Sequence, residues 1–361
     1  MNRITTWLLL IAACFCCRQE VLAQEQSAKK WTPEVGMELT SEVQGTSANK
    51  YNYVNLLRLN ASLPVLSHET EGLKTNSLTF ELASLSTCMT ARESIGGELQ
   101  TFSNLDAGNI PFALSVCGMS WSHTSPTRES RRTVSHALFM GVRNMNEDYF
   151  TSPATSFFTN SSCGIYPTIS ANYPIANYPV ASMGIHYRYD IEDDKRHFTV
   201  QATLYNGTGY NHFTGCENVF RICPKDDGAY GIAEVSCTRG GSYYCLGNAM
   251  YCNEGTSSTP WFYTEQDITS NLTLLAGYSH AFTTDAECKD FIGLGALCQL
   301  GKCQLGAFTD YAKCAERNEF ATELACKIPI FKHMDFQPTV HLITYDSQLH
   351  CAAMLRMALS F

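Results

Sequence analysis

Charge is scarce in this chain of 361 residues: Asp, Glu, Lys and Arg make up 16% of it, and acidic residues outnumber basic ones by 34 to 25. A formal charge of −9 without any basic run excludes the electrostatic footprint of a nucleic-acid binder. After residue 23 no stretch reaches the roughly 18 consecutive apolar residues that a membrane-crossing helix needs. No helical period of 3.6 is sustained anywhere, and no C-x-x-C spacing or zinc-like His and Cys grouping follows the N-terminal segment. Neither a metal site nor any other cofactor is therefore expected. These absences leave one membrane architecture open. A β-barrel crosses with strands of about 9–11 residues, half of them polar, and stays invisible to a hydropathy scan.

The N-terminus is the exception to the missing apolar run. Met1 to Arg3 give a short positive start, Trp7 to Cys17 an apolar stretch, and Val21-Leu22-Ala23 a small-residue cleavage pattern before Gln24. Residues 1–23 thus read as a secretory signal peptide. Ile11-Ala12-Ala13-Cys14 also has the form of a lipoprotein box, although cleavage there would leave an unusually short apolar core. Three of the seventeen cysteines fall in this segment, leaving fourteen beyond it. Export would favour disulfides. Yet several, such as Cys326 beside Leu324 and Ile328, stand on apolar strand faces, where a thiol serves as a small hydrophobe. Most are expected to be unpaired, with loop pairs such as Cys216 and Cys223 left open.

What the chain does have is alternation. Phe198, Val200, Ala202 and Leu204 interleave with Thr199, Gln201, Thr203 and Tyr205. Met183, Ile185, Tyr187 and Tyr189 interleave with Ser182, Gly184, His186 and Arg188. In 319–328, Phe320, Leu324 and Ile328 take one face, and Glu319, Glu323 and Lys327 the other. Such segments recur about fifteen times, separated by Gly, Asn, Asp, Ser and Pro. A sheet between two different solvents produces this pattern. Single-chain bacterial barrels carry even strand numbers, so the expectation is an all-β, transmembrane antiparallel barrel of sixteen strands. It would span 36–361, after a short periplasmic segment at 24–35. The end of the chain is the sharpest signal. Cys351, Ala353, Leu355, Met357, Leu359 and Phe361 share one face, with Arg356 on the other. A terminal Phe361 closing such a strand is expected to act as the signal read by the barrel-assembly machinery, with outer-membrane lipid around the finished barrel.

Connections are unequal. The stretches 299–303 and 314–318 are short, as periplasmic turns are, while 144–179 is long and carries Pro153, Pro167, Pro174 and Pro179. The long one is either a surface loop or a loop folded into the lumen. Several blocks in order resemble the carbohydrate-selective porin family (OprB type). They are Ile95-Gly96-Gly97-Glu98-Leu99-Gln100-Thr101-Phe102-Ser103-Asn104, the run from Gly141 to Asn146, and Phe157-Phe158-Thr159-Asn160-Ser161-Ser162-Cys163-Gly164. Tyr178-Pro179-Val180-Ala181-Ser182-Met183-Gly184, Val200 to Gly207, Glu319 to Leu324 and Phe336-Gln337-Pro338 complete the set. Cys163 departs from the family pattern, which has an aromatic there. The resemblance implies a pore narrowed by inward loops and used for uptake of small sugars. A general diffusion pore and a surface binding barrel are the other readings.

A sugar-passing lumen needs polar groups that replace hydration without binding too tightly. The polar-face candidates are Arg58, His186, Arg188, Glu323, Lys327 and Arg356, with Arg143 and Asp148 at the entrance to the long segment. Arg356 reads as a lone charge among small residues. An enzyme is not expected. Gly277-Tyr278-Ser279-His280-Ala281 loosely matches a G-x-S-x-G nucleophile elbow, but an elbow requires strand, sharp turn and helix, and another turn and strand follow here.

Overall fold

A computed structural model describes residues 32–361 apart from 48–49, 71–72, 91–100, 128–131 and 254. The expected signal peptide, most of 24–35 and the first part of the block at 95–104 lie outside the described residues. From Glu34 on, the alternating segments form sixteen antiparallel strands that close into one barrel. They are β1 (Glu34–Thr46), β2 (Tyr51–Thr70), β3 (Leu73–Met89), β4 (Ile110–Thr127) and β5 (Arg132–Arg143). After a long connection come β6 (Ser182–Asp193), β7 (Arg196–Asn206), β8 (Ala229–Arg239), β9 (Ser242–Cys252) and β10 (Thr256–Thr269). The remainder are β11 (Leu272–His280), β12 (Cys288–Leu300), β13 (Cys303–Cys314), β14 (Asn318–Phe331), β15 (Met334–Tyr345) and β16 (Gln348–Ser360). Each strand pairs with its sequence neighbour. The ring closes where β1 meets β16, Glu42 opposite Arg356 and Leu39 opposite Leu359. Closure leaves no sheet edge, so every strand has a hydrogen-bonded neighbour on both sides.

Period-two alternation fixes the two faces. Leu204, Leu246, Leu294, Leu324 and Leu355 stand exposed on the outside. Between them Thr203, Cys245, Glu323 and Arg356 turn inward and are buried. A shift of one residue would exchange the faces, which is why the register is firm.

The connections differ widely in length. Those after β6, β8, β10, β12 and β14 are two residues long, at 194–195, 240–241, 270–271, 301–302 and 332–333. Those after odd-numbered strands include 207–228 and the 38 residues of 144–181. Here one expectation is corrected. The short connections near 301 and 316 follow β12 and β13, so they close opposite ends of the barrel and cannot both be periplasmic turns.

The core of the molecule lies inside the barrel. Segment 144–181 folds inward as three single 3-10 turns (Met145–Glu147, Thr155–Phe157, Ser161–Cys163) and a helical turn at Pro167–Ser170. Asn144 and Asn160 cap two of these turns through their side chains. Met145, Tyr149, Phe157, Phe158, Tyr166 and Ile169 of the segment pack on Tyr230, Trp261, Tyr263, Phe291 and Phe308 of the wall. Each such side chain contributes about 1.5–3 kcal/mol by leaving water. Two wall glycines make room. A Cβ at Gly247 would stand 2.1 Å from the Trp261 ring, and one at Gly306 would stand 2.2 Å from Phe157. Cysteine belongs to this packing too: Cys163, Cys245 and Cys288 are buried in the lumen cluster, not on the outer face.

Candidate pore and its constriction

Sixteen alternating strands place half of their side chains in one interior, and the segments folded into it decide which of these meet water. Residues 101–109 also turn inward and join the long segment through Asn104 N–H to the Thr159 carbonyl (2.7 Å) and Ser161 N–H to the Thr101 carbonyl (3.1 Å). The lumen is therefore occupied by two stitched pieces of chain.

Polar anchors hold the long segment to the wall. On β14, Glu323 is fully buried and accepts from the backbone N–H groups of Thr159 (2.8 Å) and Asn160 (2.9 Å), and from the Thr159 hydroxyl (2.9 Å). Asp310 on β13 accepts from Ser162 at 2.9 Å, and Gln337 on β15 donates to the Phe157 carbonyl at 2.7 Å. Glu265 on β10 accepts from the Ala154 N–H, and Thr168 and Ser279 share a hydroxyl contact of 2.5 Å. At the near end the Tyr149 hydroxyl meets Thr203 at 2.8 Å. Buried carboxylates left without such donors would cost several kcal/mol, so the anchors fix the segment's position as well as its fold.

A different arrangement covers β2, β3, β5 and β6. Arg143 ends β5 and clasps Asp148 with two nitrogens, at 2.6 and 2.7 Å, while reaching Glu81 of β3 at 3.2 Å. Its guanidinium lies over the Phe139 ring, 4.6 Å from the centroid. Arg58 on β2 meets Glu147 of the segment at 2.6 Å. Arg188 pairs with Asp190 on its own strand at 2.8 Å, and His197 approaches the same carboxylate at 2.9 Å. The Arg58, Glu81 and Arg188 side chains keep 31, 31 and 40% of their exposure. Basic wall residues thus face acidic residues at the start of the inward segment.

The remaining candidates divide. His186 is buried, with Nδ1 2.8 Å from the Thr203 hydroxyl and Nε2 3.7 Å from Asp148. Lys327 stands on the inner face with Nζ 6.0 Å from the Phe157 ring centre. Glu323 points inward but lies beneath the segment. Arg356 also points inward, and it is not alone: its side chain is bound to the fully buried Glu42 and donates to Asn104 at 2.6 Å. Gln44 and Ser103 donate to the same Glu42 carboxylate, each at 2.7 Å. Glu323 and Arg356 therefore hold the inner structure rather than line open water. Phe361 exchanges backbone hydrogen bonds with Met37 (2.9 and 3.0 Å) and stacks on His333.

Sequence reading missed Glu42, Glu81, Glu147 and Asp190. Glu42 had a signal, since Glu38, Thr40, Glu42 and Gln44 repeat on one face of β1. The elbow-like stretch 277–281 lies on and just past β11. Ser279 faces the lumen and His280 the outside, where its Nδ1 meets Asp290 at 2.7 Å, so the two form no catalytic pair.

A closed sixteen-stranded barrel narrowed by an inward segment after its fifth strand has porin architecture. Comparison with solved structures finds that fold repeatedly. OprB of Pseudomonas putida, in its high-pH structure, superposes with a TM-score of 0.71 at 14% identity over 91% of this chain and 94% of that one. A loop-deletion form of OmpT from Vibrio cholerae gives 0.57 at 11% identity, over 91 and 99%. A mutant of the Rh. blastica porin gives 0.50 at 9%, over 91 and 100%. No family model and no curated protein matches the sequence.

Proposed function

We propose that this chain is an outer-membrane porin through which small solutes, carbohydrates first among them, diffuse passively. The observation that carries the reading is the ionic belt around the inward segment. Arg58, Arg143 and Arg188 pair with Glu81, Glu147, Asp148 and Asp190 on the side of the lumen that the aromatic cluster leaves uncovered. Paired charges of both signs offer many donors and acceptors to a hydroxylated solute and a weak net attraction to any ion. That combination allows release after binding. The long connections would face the outside of the cell and the short turns the periplasm, as in other barrels of this kind. Export through a signal peptide at 1–23 and assembly through Phe361 belong to the same reading.

A general diffusion pore is the second reading, and a specific observation favours it. Stacking on a sugar ring needs a free aromatic face, yet Trp261, Tyr263, Tyr230 and Phe308 of the inner wall are all buried under the segment. Liposome swelling with sugars and amino acids of matched mass separates the two. Faster entry of the sugars supports the carbohydrate reading, equal entry supports general diffusion, and no swelling with any solute removes the pore.

A further inference from the structure

Among the fourteen cysteines from Cys88 onward, all thiols in this structure, one relation stands apart. Cys288, which opens β12, and Cys314, which closes β13, are direct partners across the two strands. Cys314 packs against the buried cluster to which Cys288 belongs. In the strand registers of the described residues no other two cysteines face one another. Directly opposed residues of an antiparallel pair have Cα atoms roughly 4.5–5.5 Å apart. A disulfide accepts about 4.4–6.8 Å, and although the register shifts between Cys288 and Asp290, Cys288 keeps Cys314 as its partner. Both side chains turn toward the lumen, Cys288 fully buried in the aromatic cluster and Cys314 packed against it.

The pair also sits at a joint. Asn172, just past the helical turn of the inward segment, donates to the Cys288 carbonyl at 2.8 Å and accepts from its N–H at 3.0 Å. The same Asn172 amide donates to the Thr168 carbonyl at 2.7 Å. Beside it, Ala315 N–H donates to the Glu287 carbonyl at 2.8 Å, joining the two connections that flank the cysteines. Whatever fixes Cys288 therefore fixes the wall end of the segment.

We propose that Cys288 and Cys314 are a thiol–disulfide modification site whose oxidised form ties β12 to β13 beneath the inward segment. The oxidant is a disulfide, of protein or small-molecule kind. One protein thiolate attacks it, forming a mixed disulfide and releasing one thiol. The second cysteine, losing its proton, then displaces the other thiol and closes the bond. The two protein thiols are oxidised, and the oxidant disulfide is reduced to two thiols. The proposal rests on the barrel's register and not on what passes through the lumen.

The test takes the full chain purified from membranes, and a second sample refolded with glutathione disulfide as oxidant. Both are alkylated under denaturing conditions without reductant, digested and read by mass spectrometry. The expected result is a linked peptide joining Cys288 to Cys314, lost on reduction, with Cys326 and Cys351 alkylated throughout. Cys288→Ser should leave Cys314 fully alkylated and unlinked. Complete alkylation of Cys288 and Cys314 in both samples overturns the proposal. A link from either one to a different cysteine does so as well.

Discussion

The two halves of the lumen obey the same strand rule and end in opposite states. On β7 to β14 the inward residues are aromatic, small or singly charged, and the segment 144–181 covers them. On β2 to β6 they include paired ions that keep part of their exposure. Facing inward is thus not the same as facing water. In the covered half a charge is a fastener with buried partners, and its loss strands those partners. In the other half, on the proposed reading, a charge belongs to the solute path, and its loss should change what the path prefers.

The comparison is broken most sharply at Arg356. Replacing it with Ala leaves Glu42 buried without its cation, a change that costs roughly 3–5 kcal/mol. The variant should convert from the compact to the unfolded gel form at a clearly lower temperature or urea concentration. Stability equal to the parent would return Arg356 to the solute path. Glu323→Ala comes next. It removes the acceptor for two backbone N–H groups and a hydroxyl, at about 2–4 kcal/mol for the donors left unpaired. Single-channel traces should become noisier, as the segment loses its hold near Thr159; quiet traces at parental conductance would show the hold lies elsewhere.

In the open half the effects shrink. Arg143→Ala frees Asp148 and Glu81 and should raise cation preference, measured as a shifted reversal potential in a salt gradient, with stability lowered by about 1–3 kcal/mol. An unshifted potential would place the solute path away from Arg143. Arg188→Ala is the mildest. A half-exposed pair is worth no more than ~1 kcal/mol, so folding should be untouched and only ion preference should move. A large loss of stability there would mean that the open half is packed after all.

The sequence made legible whatever is local or periodic. Strand faces follow from period two, and the outward row of the last strand, Leu355 with Met357, can be read residue by residue. The partners across the lumen could not be read. Arg356 meets Glu42 from 314 residues away, and Glu323 meets Thr159 from 164. Nothing in local alternation says which inward charge will be covered by a distant loop. The end of the barrel at which a short turn sits was misread for a related reason: length alone does not count the strands before it. Cys245 and Cys288 show the same limit, since a thiol on an inner face is indistinguishable by pattern from one on an outer face.

The inward segment touches Thr203 on β7, Glu265 on β10, Ser279 on β11, Asp310 on β13, Glu323 on β14 and Gln337 on β15. A barrel wall is a hoop joined only between adjacent staves, and a hoop resists stretching far better than it resists being squashed into an oval. Chain that runs across the interior and is fastened at many points acts as a spoke. It couples strands that are not neighbours, so flattening the cross-section must break hydrogen bonds or shear an aromatic cluster. The space between the spoke and the charged wall is thereby insulated from sideways pressure on the barrel.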